Sequence, residues 1–407
     1  MSVGNIPGLL RRNPDLKLLW WGQIVSQLGD WFNAIALYSL LYELTGSATS
    51  VAVLIVLQLL PAAIITPFAG VIADRFDRRQ IMIAADIVRG LVILGLLFVR
   101  TPGTVWIAYA VIAIAVSATG FFEPAKSSTL PSIVAREDLV TANALSTGTW
   151  SVMLAAGASI GGLVSAAFGR DTTFVLNAVS FFVSAALIAR VRVPPRGEAP
   201  APAGIAPFVD GFRYLRDHRD VASFAVIKAG WAMVGGALLI LTVFGQRVFP
   251  ISGSADAGTG VLFAARGIGA LAGSWFVTHL AMGSVDRLKR LIAPSFFLAG
   301  TFYALVGVAP SIWIAAAFVV AAHICGSTLW VASNVLLQMN VREQFRGRVF
   351  AAELASLTLV QATATYVTAR LLDGYDLDPR NVAIACGMAL WIPGTIWLRK
   401  SFKHEAP

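Results

Sequence analysis

The chain has 407 residues, of which 57% are hydrophobic and 13% charged, with a formal net charge of +9. A mean hydropathy of +0.74 excludes both an ordinary water-soluble domain and a disordered chain, and leaves a protein that crosses a membrane many times. The two cysteines, Cys325 and Cys386, both fall in apolar runs. They are read as small core residues, and no metal-ligand spacing of His and Cys occurs.

A bilayer core about 30 Å thick takes roughly 20 apolar residues per helix. Twelve segments reach that length, near 16–43, 47–73, 80–99, 103–123, 139–168, 172–190, 219–245, 257–281, 288–308, 311–335, 350–371 and 380–398. They are continuously apolar rather than alternating, which favours helices over a β-barrel. The first run is long and no small-residue cleavage site follows it, so helix 1 is expected to be retained. With the N-terminus inside, most of the 31 basic residues lie in cytoplasmic segments, as the positive-inside rule requires. The basic charge is therefore a topology signal, and no nucleic-acid partner is implied.

In helix 1, "SQLGDWFNAIAL" places Asp30 inside an apolar span, where an ionisable group is costly and usually functional. If the helix enters the hydrocarbon near Trp20, Asp30 lies roughly 15 Å deep, close to the midplane. Gln23, Gln27 and Asp30 share one face and Asn33 follows one turn on. A substrate cavity with proton exchange at Asp30 is expected there; the alternative is an Asp that caps a kink beside Gly29 or is permanently ion-paired. Asp86 and Arg89, three apart on helix 3, are spaced to pair. Glu123, before Pro124, reads as interfacial. Lys228 and Arg266 lie deep in helices 7 and 8, each placed to hold an anionic substrate or a carboxylate, and His323 is read chiefly as a packing residue.

Val193–Asp220 is rich in Pro, Ala and charge and divides the chain into 1–192, a linker 193–218, and 219–407. Its first part reads as a flexible linker, and "FVDGFRYLRDH" as a short amphipathic helix at the cytoplasmic surface. The halves echo each other. "DRFDRR" at Asp74 answers to "DRLKR" at Asp286, and "RED" at Arg136 to "REQ" at Arg342, each pair about half the chain apart. "GASIGG", with Gly157, Gly161 and Gly162, reads as a close helix-packing face. "GIGALA" at Gly267–Ala272 formally fits a dinucleotide-binding pattern, but it sits inside an apolar span and reads as packing.

"GVIADRFDRR" between helices 2 and 3, with six helices on either side of a cytoplasmic linker, resembles the major facilitator superfamily, whose signature there is G-x-L-A-D-R-x-G-R-R. Gly70, Ala73, Asp74, Arg75, Arg78 and Arg79 match, while Ile72 and Asp77 depart. "NPDLKLLWWGQIVSQLGDW", "ANAL" at 142–145 and "FRGRVFA" at 345–351 are similar to the branch of macrolide-efflux and enterobactin-export proteins. "GASIGG" also resembles the end of the family's antiporter motif, although Ala158 replaces its Pro. The resemblance implies an all-α membrane protein of twelve transmembrane helices in two six-helix bundles. It also implies a cytoplasmic gate built from Gly70, Asp74, Arg75, Arg78 and Arg79, with Asp74 at the start of helix 11 near Arg348 and the arginines reaching carboxylates such as Asp86 beside Arg89. A carboxylate facing a helix N-terminus is favourable on its own terms.

No Walker-type phosphate loop occurs, so the expected energy source is an ion gradient. The function expected is a proton-coupled exporter of amphipathic or hydrophobic small molecules such as a drug, macrolide or siderophore, working by alternating access, and not an enzyme. Its expected partners are the substrate, protons and the lipid bilayer, with no cofactor and no metal, as a monomer in the plasma (inner) membrane with both termini cytoplasmic. Competing readings are a lysophospholipid or other lipid transporter, a divalent-metal exporter because "LGDWFNAIALYSLLYELTG" also resembles ferroportin's first helix, and a non-transporting receptor or channel.

Overall fold

The apolar segments fall on helices, because a backbone in hydrocarbon must satisfy its hydrogen bonds within its own segment. A computed structural model describes residues 6–61, 64–65, 69, 76–193, 206–251, 255–281 and 284–405. In chain order the helices are α1 (Ile6–Arg12), α2 (Pro14–Thr45), α3 (Ala48–Leu57), α4 (Arg78–Ile93), α5 (Val105–Ile133), α6 (Leu139–Phe168), α7 (Arg170–Ile188), α8 (Ala206–Asp217), α9 (Arg219–Trp231), α10 (Ala237–Val243), α11 (Ala255–Ala281), α12 (Val285–Val308), α13 (Ile312–Asn340), α14 (Glu343–Ala369), α15 (Pro379–Ala389) and α16 (Trp391–Glu405). No β-strand occurs among the described residues. Eight helical stretches among those residues are long and apolar enough to cross a membrane. The long helices α2, α6 and α14 fall outside that set, and α2 and α14 carry polar residues through their middle: Gln23, Gln27, Asp30 and Asn33 on α2, Glu353 and Gln361 on α14.

The chain divides into two compact units, Met1–Thr45 with Leu57–Gly204, and Gly46–Val56 with Ile205–Pro407. In the first, glycines let helices approach closely. A Cβ on Gly29 would lie 2.6 Å from Asn177 Oδ1 of α7, and on Gly161 it would lie 2.8 Å from the Phe32 backbone. Helix α5 continues beyond the segment expected at 103–123, through Pro124 and Pro131. Hydroxyls take up carbonyls in that region, with Ser127 donating to Pro124 O (3.0 Å) and Thr129 to Ala125 O (2.8 Å).

In the second unit the helix expected at 219–245 is interrupted. A 3-10 turn at Ala232–Val234 separates α9 from α10, and a π-turn at Phe244–Val248 follows. A Cβ on Gly235 would lie 2.6 Å from Gln361 O, and Thr365 Oγ1 donates to Gly235 O at 2.6 Å, so the break is where α14 presses in. "GIGALA" is a packing surface: Gly269 meets the Val320 backbone of α13, and just after it a Cβ on Gly273 would lie 2.6 Å from Ile324 O. The linker's amphipathic segment is helix α8, packed on α14 through Gly211 and an ion pair from Arg348 to Asp210 at 3.2 Å.

Helix α3, which belongs to this unit up to Val56, is capped from a distance. Asp373 accepts from Ala48 N–H (3.0 Å), Thr49 N–H (2.6 Å) and Ser47 Oγ (2.7 Å), and Arg247 donates to Gly46 O at 3.1 Å. A carboxylate on the first free N–H groups of a helix satisfies donors that the helix itself cannot. Partial burial raises the Asp373 carboxyl, but the hydrogen bonds from Ser47, Thr49 and Ala48 together outweigh it and hold its pKa below the ordinary carboxylate value. With the folded-state value the lower one, the stabilisation is complete above the unfolded carboxylate's pKa and is lost as pH falls through the folded-state value. Asp373→Ala is therefore expected to lower stability by about 0.5–1 kcal/mol at neutral pH, with the difference from wild type vanishing in acid. Melting curves of both proteins from neutral to acid pH check this.

Candidate functional site

The polar face of α2 lines a cavity of about 630 Å³ whose lining residues all belong to the first unit, from α2, α4, α5 and α6. Gln23, Gln27 and Asp30 recur at four and three residues, so they project along one stripe of the helix. Gln23 is clamped to α6, donating to Ser146 O (3.0 Å) and accepting from Ser146 Oγ (2.6 Å). Trp20 Nε1 donates to Thr149 Oγ1 at 2.7 Å. These bonds fix the register of α2 against α6, where Gly157 would place a Cβ 2.8 Å from that of Trp31, with Gly161 and Gly162 following on the same helix. Asp30 is open to the cavity, and no hydrogen bond or ion pair holds its carboxylate among the described residues. Asn33, one turn further, is buried and does not line the cavity.

Across from α2, Arg89 of α4 also lines the cavity, although it is only 4% exposed. It forms an ion pair with fully buried Asp86 one turn earlier. Its guanidinium sits 4.7 Å from the Phe122 ring centre and 4.3 Å from that of Phe181. A buried cation is tolerated here because a carboxylate and two ring faces replace its hydration. Glu123 and Lys126 of α5 pair at 2.8 Å on the same cavity wall. The sequence expectation sets Asp86 and Arg89 with the cytoplasmic gate, whose residues Gly70, Asp74 and Arg75 lie outside the described residues; both members of the pair are buried within the unit.

Of the gate loop, Gly70, Asp74 and Arg75 lie outside the described residues. Arg78 donates to Ser128 O at 2.6 Å, and Arg79 donates to Ala189 O at the C-terminus of α7. Arg79 thus holds a helix-end carbonyl, where a cation meets the negative end of the helix dipole, whereas the acceptor of Arg78 lies inside α5. Asp77, which departs from the signature glycine, caps α4: its φ is −61°, and its side chain accepts from Arg79 N–H at 2.8 Å. The negative φ removes the need for glycine, and the carboxylate supplies the cap. Asp286, its partner in the internal echo being Asp74, is exposed in the first turn of α12.

In the second unit, Lys228 has found a carboxylate. Its ammonium lies 3.1 Å from Glu353 of α14 and donates to Asn334 Oδ1 at 2.7 Å, and both ends of the pair are buried. Glu353 also accepts from Ser333 Oγ at 2.5 Å, and the ammonium sits 4.6 Å from the Trp330 ring centre. Arg266 is half-buried on α11 of the same unit, and neither cation lines the cavity of the first unit. His323 is buried beside Tyr303 (O–H to ring nitrogen 3.5 Å) and edge-on to Trp231 at 5.5 Å, a packed setting.

Residues 19–354 match the Major Facilitator Superfamily. The chain belongs to that superfamily. Major facilitator proteins similar to it include the putative bacilysin exporter BacE of Bacillus subtilis (strain 168), 28% identical with 93% of each chain covered. Macrolide efflux protein A of Streptococcus pyogenes is 25% identical over 87% of this chain and 88% of its own. Among solved structures, a POT family transporter in complex with 5-aminolevulinic acid aligns with a TM-score of 0.77 at 12% identity over 97% of both chains. The nucleoside transporter NupG aligns at 0.71 and 13% identity, covering 94% of this chain and 98% of its own. The fold is therefore the major facilitator fold, and the family places the chain among membrane transporters of small molecules rather than among enzymes.

Glu353 and Asn334 were not singled out in the sequence, although Glu353 within "FAAELASL" meets the same criterion that marks Asp30. Removing one member of a buried ion pair strands the other, so Lys228→Met is expected to cost about 3–5 kcal/mol. Adding Glu353→Gln to it should recover most of that loss. A double-mutant cycle on apparent melting temperature in detergent checks the coupling.

Proposed function

We propose that this major facilitator protein is a secondary active transporter that exports amphipathic or hydrophobic small molecules in exchange for protons by alternating access. Its place is the cytoplasmic (inner) membrane, with both termini and the loop 70–80 on the cytoplasmic side. The observation that carries the coupling role is Asp30. It is an ionisable group deep in an apolar helix, open to a cavity and held by no ion pair among the described residues, whereas Asp86 and Glu353 are each committed to a cation. An uncommitted carboxylate in such a site is free to take up and release a proton as cargo comes and goes. Export is supported by the printed names of relatives that are an exporter and an efflux protein. Four aromatic side chains, Trp20, Trp31, Phe122 and Trp150, on the cavity wall favour a cargo with an apolar body.

The test is uphill transport in proteoliposomes across a panel of amphipathic compounds under an imposed proton gradient. Wild type should accumulate its cargo, and Asp30→Asn should fall to the level of vesicles without a gradient while still equilibrating cargo down its own gradient. Undiminished uphill accumulation by Asp30→Asn would remove the coupling role from this residue. Stimulation only by lysophospholipid would favour the lipid-transport reading.

A further inference from the structure

Building on the transport reading above, we infer that the cavity of the first unit selects organic cations: molecules with one positive charge on an apolar or aromatic body, for which Asp30 is the counter-ion. The charges around the cavity cancel in pairs. Arg89 is neutralised by Asp86, which lies behind it in the packed interior, and Lys126 by Glu123 at 2.8 Å. What remains is one carboxylate, Asp30, facing the open space.

An anionic cargo would meet Asp30 with no uncommitted cation on the wall to offset the repulsion. A cationic cargo meets a counter-ion and the ring faces that favour cations. Phe122 already stacks under Arg89, and the hydrogen bond from Trp20 to Thr149 holds a second ring in place. The uncharged polar groups point the same way. Gln27 lines the cavity with its amide oxygen buried and without a partner, an acceptor next to the carboxylate stripe that suits a donor on the cargo rather than a second acceptor. A volume of about 630 Å³ is ample for a molecule of drug size.

Two size-matched probes of opposite charge, tetraphenylphosphonium and tetraphenylborate, test the inference on the purified full-length protein in lipid nanodiscs by equilibrium dialysis. Wild type should bind the phosphonium saturably and the borate only as empty nanodiscs do. Asp30→Asn should weaken phosphonium binding about tenfold or more, and Asp30→Glu, which keeps the charge, should retain most of the affinity. Equal affinity for the borate, or unchanged phosphonium affinity in Asp30→Asn with a melting curve like wild type, would overturn the inference. Its failure is separable from failure of the transport reading. Saturable, Asp30-dependent cation binding without uphill flux would leave the cation site standing and remove the transporter; uphill flux confined to neutral or anionic compounds would do the reverse.

Discussion

A charge inside a helix bundle surrounded by lipid must be matched by another group, because hydrocarbon offers it no solvation. The polar architecture of this protein follows from that requirement. Arg89 is met by Asp86 and two phenylalanine rings, and Lys228 by Glu353, Asn334 and a tryptophan ring. Each match is made by helices that are far apart in sequence, or by one turn of the same helix, so the charges act as registration marks for packing. An ion pair of this kind contributes little net stability against an apolar replacement, yet stranding either half is expensive. What it specifies is which helix faces meet.

Registration also needs close approach, and small residues provide it. Gly29 lets α2 touch α7, and Gly157 and Gly161 let α6 touch Trp31 and Phe32 of α2. The hydrogen bonds from Trp20 to Thr149 and between Gln23 and Ser146 then lock the same α2–α6 contact along its length. Asp30 lies on that locked stretch. Its carboxylate is therefore placed by rigid backbone contacts on neighbouring turns even though no partner holds the side chain itself, an arrangement that keeps position fixed and leaves chemistry open.

Local patterns were legible in the sequence and non-local ones were not. Continuous apolar runs gave α6 its observed bounds, and the spacing of Gln23, Gln27 and Asp30 gave one shared face. The same spacing could not say that Asn33 turns into the packed interior, since that depends on which neighbour covers each side of α2. Pro124 read as a helix end because in water it would be one; within lipid α5 continues through it. The break at Gly235 was invisible because paired glycines in an apolar run also fit ordinary close packing, and only the approach of α14 distinguishes the two. Asp373 capping α3 lies beyond any window, since the groups involved are more than 300 residues apart. The pairing of Asp86 with Arg89 was legible from spacing alone, but not that Asp86 is fully enclosed while Arg89 reaches the cavity wall.

The two compact units place their buried charges in different company. In the second, Lys228 and Glu353 pair with each other, and Asn334 and Ser333 complete their hydrogen bonds, so this pair is committed within the protein. In the first, Asp86 pairs with buried Arg89 while Asp30 faces the cavity, and the hydrogen-bonded pair claims only the inner carboxylate. The difference is one of access: Asp30 faces open space where water can solvate a carboxylate, whereas Asp86 is enclosed and has to be matched by the guanidinium beside it.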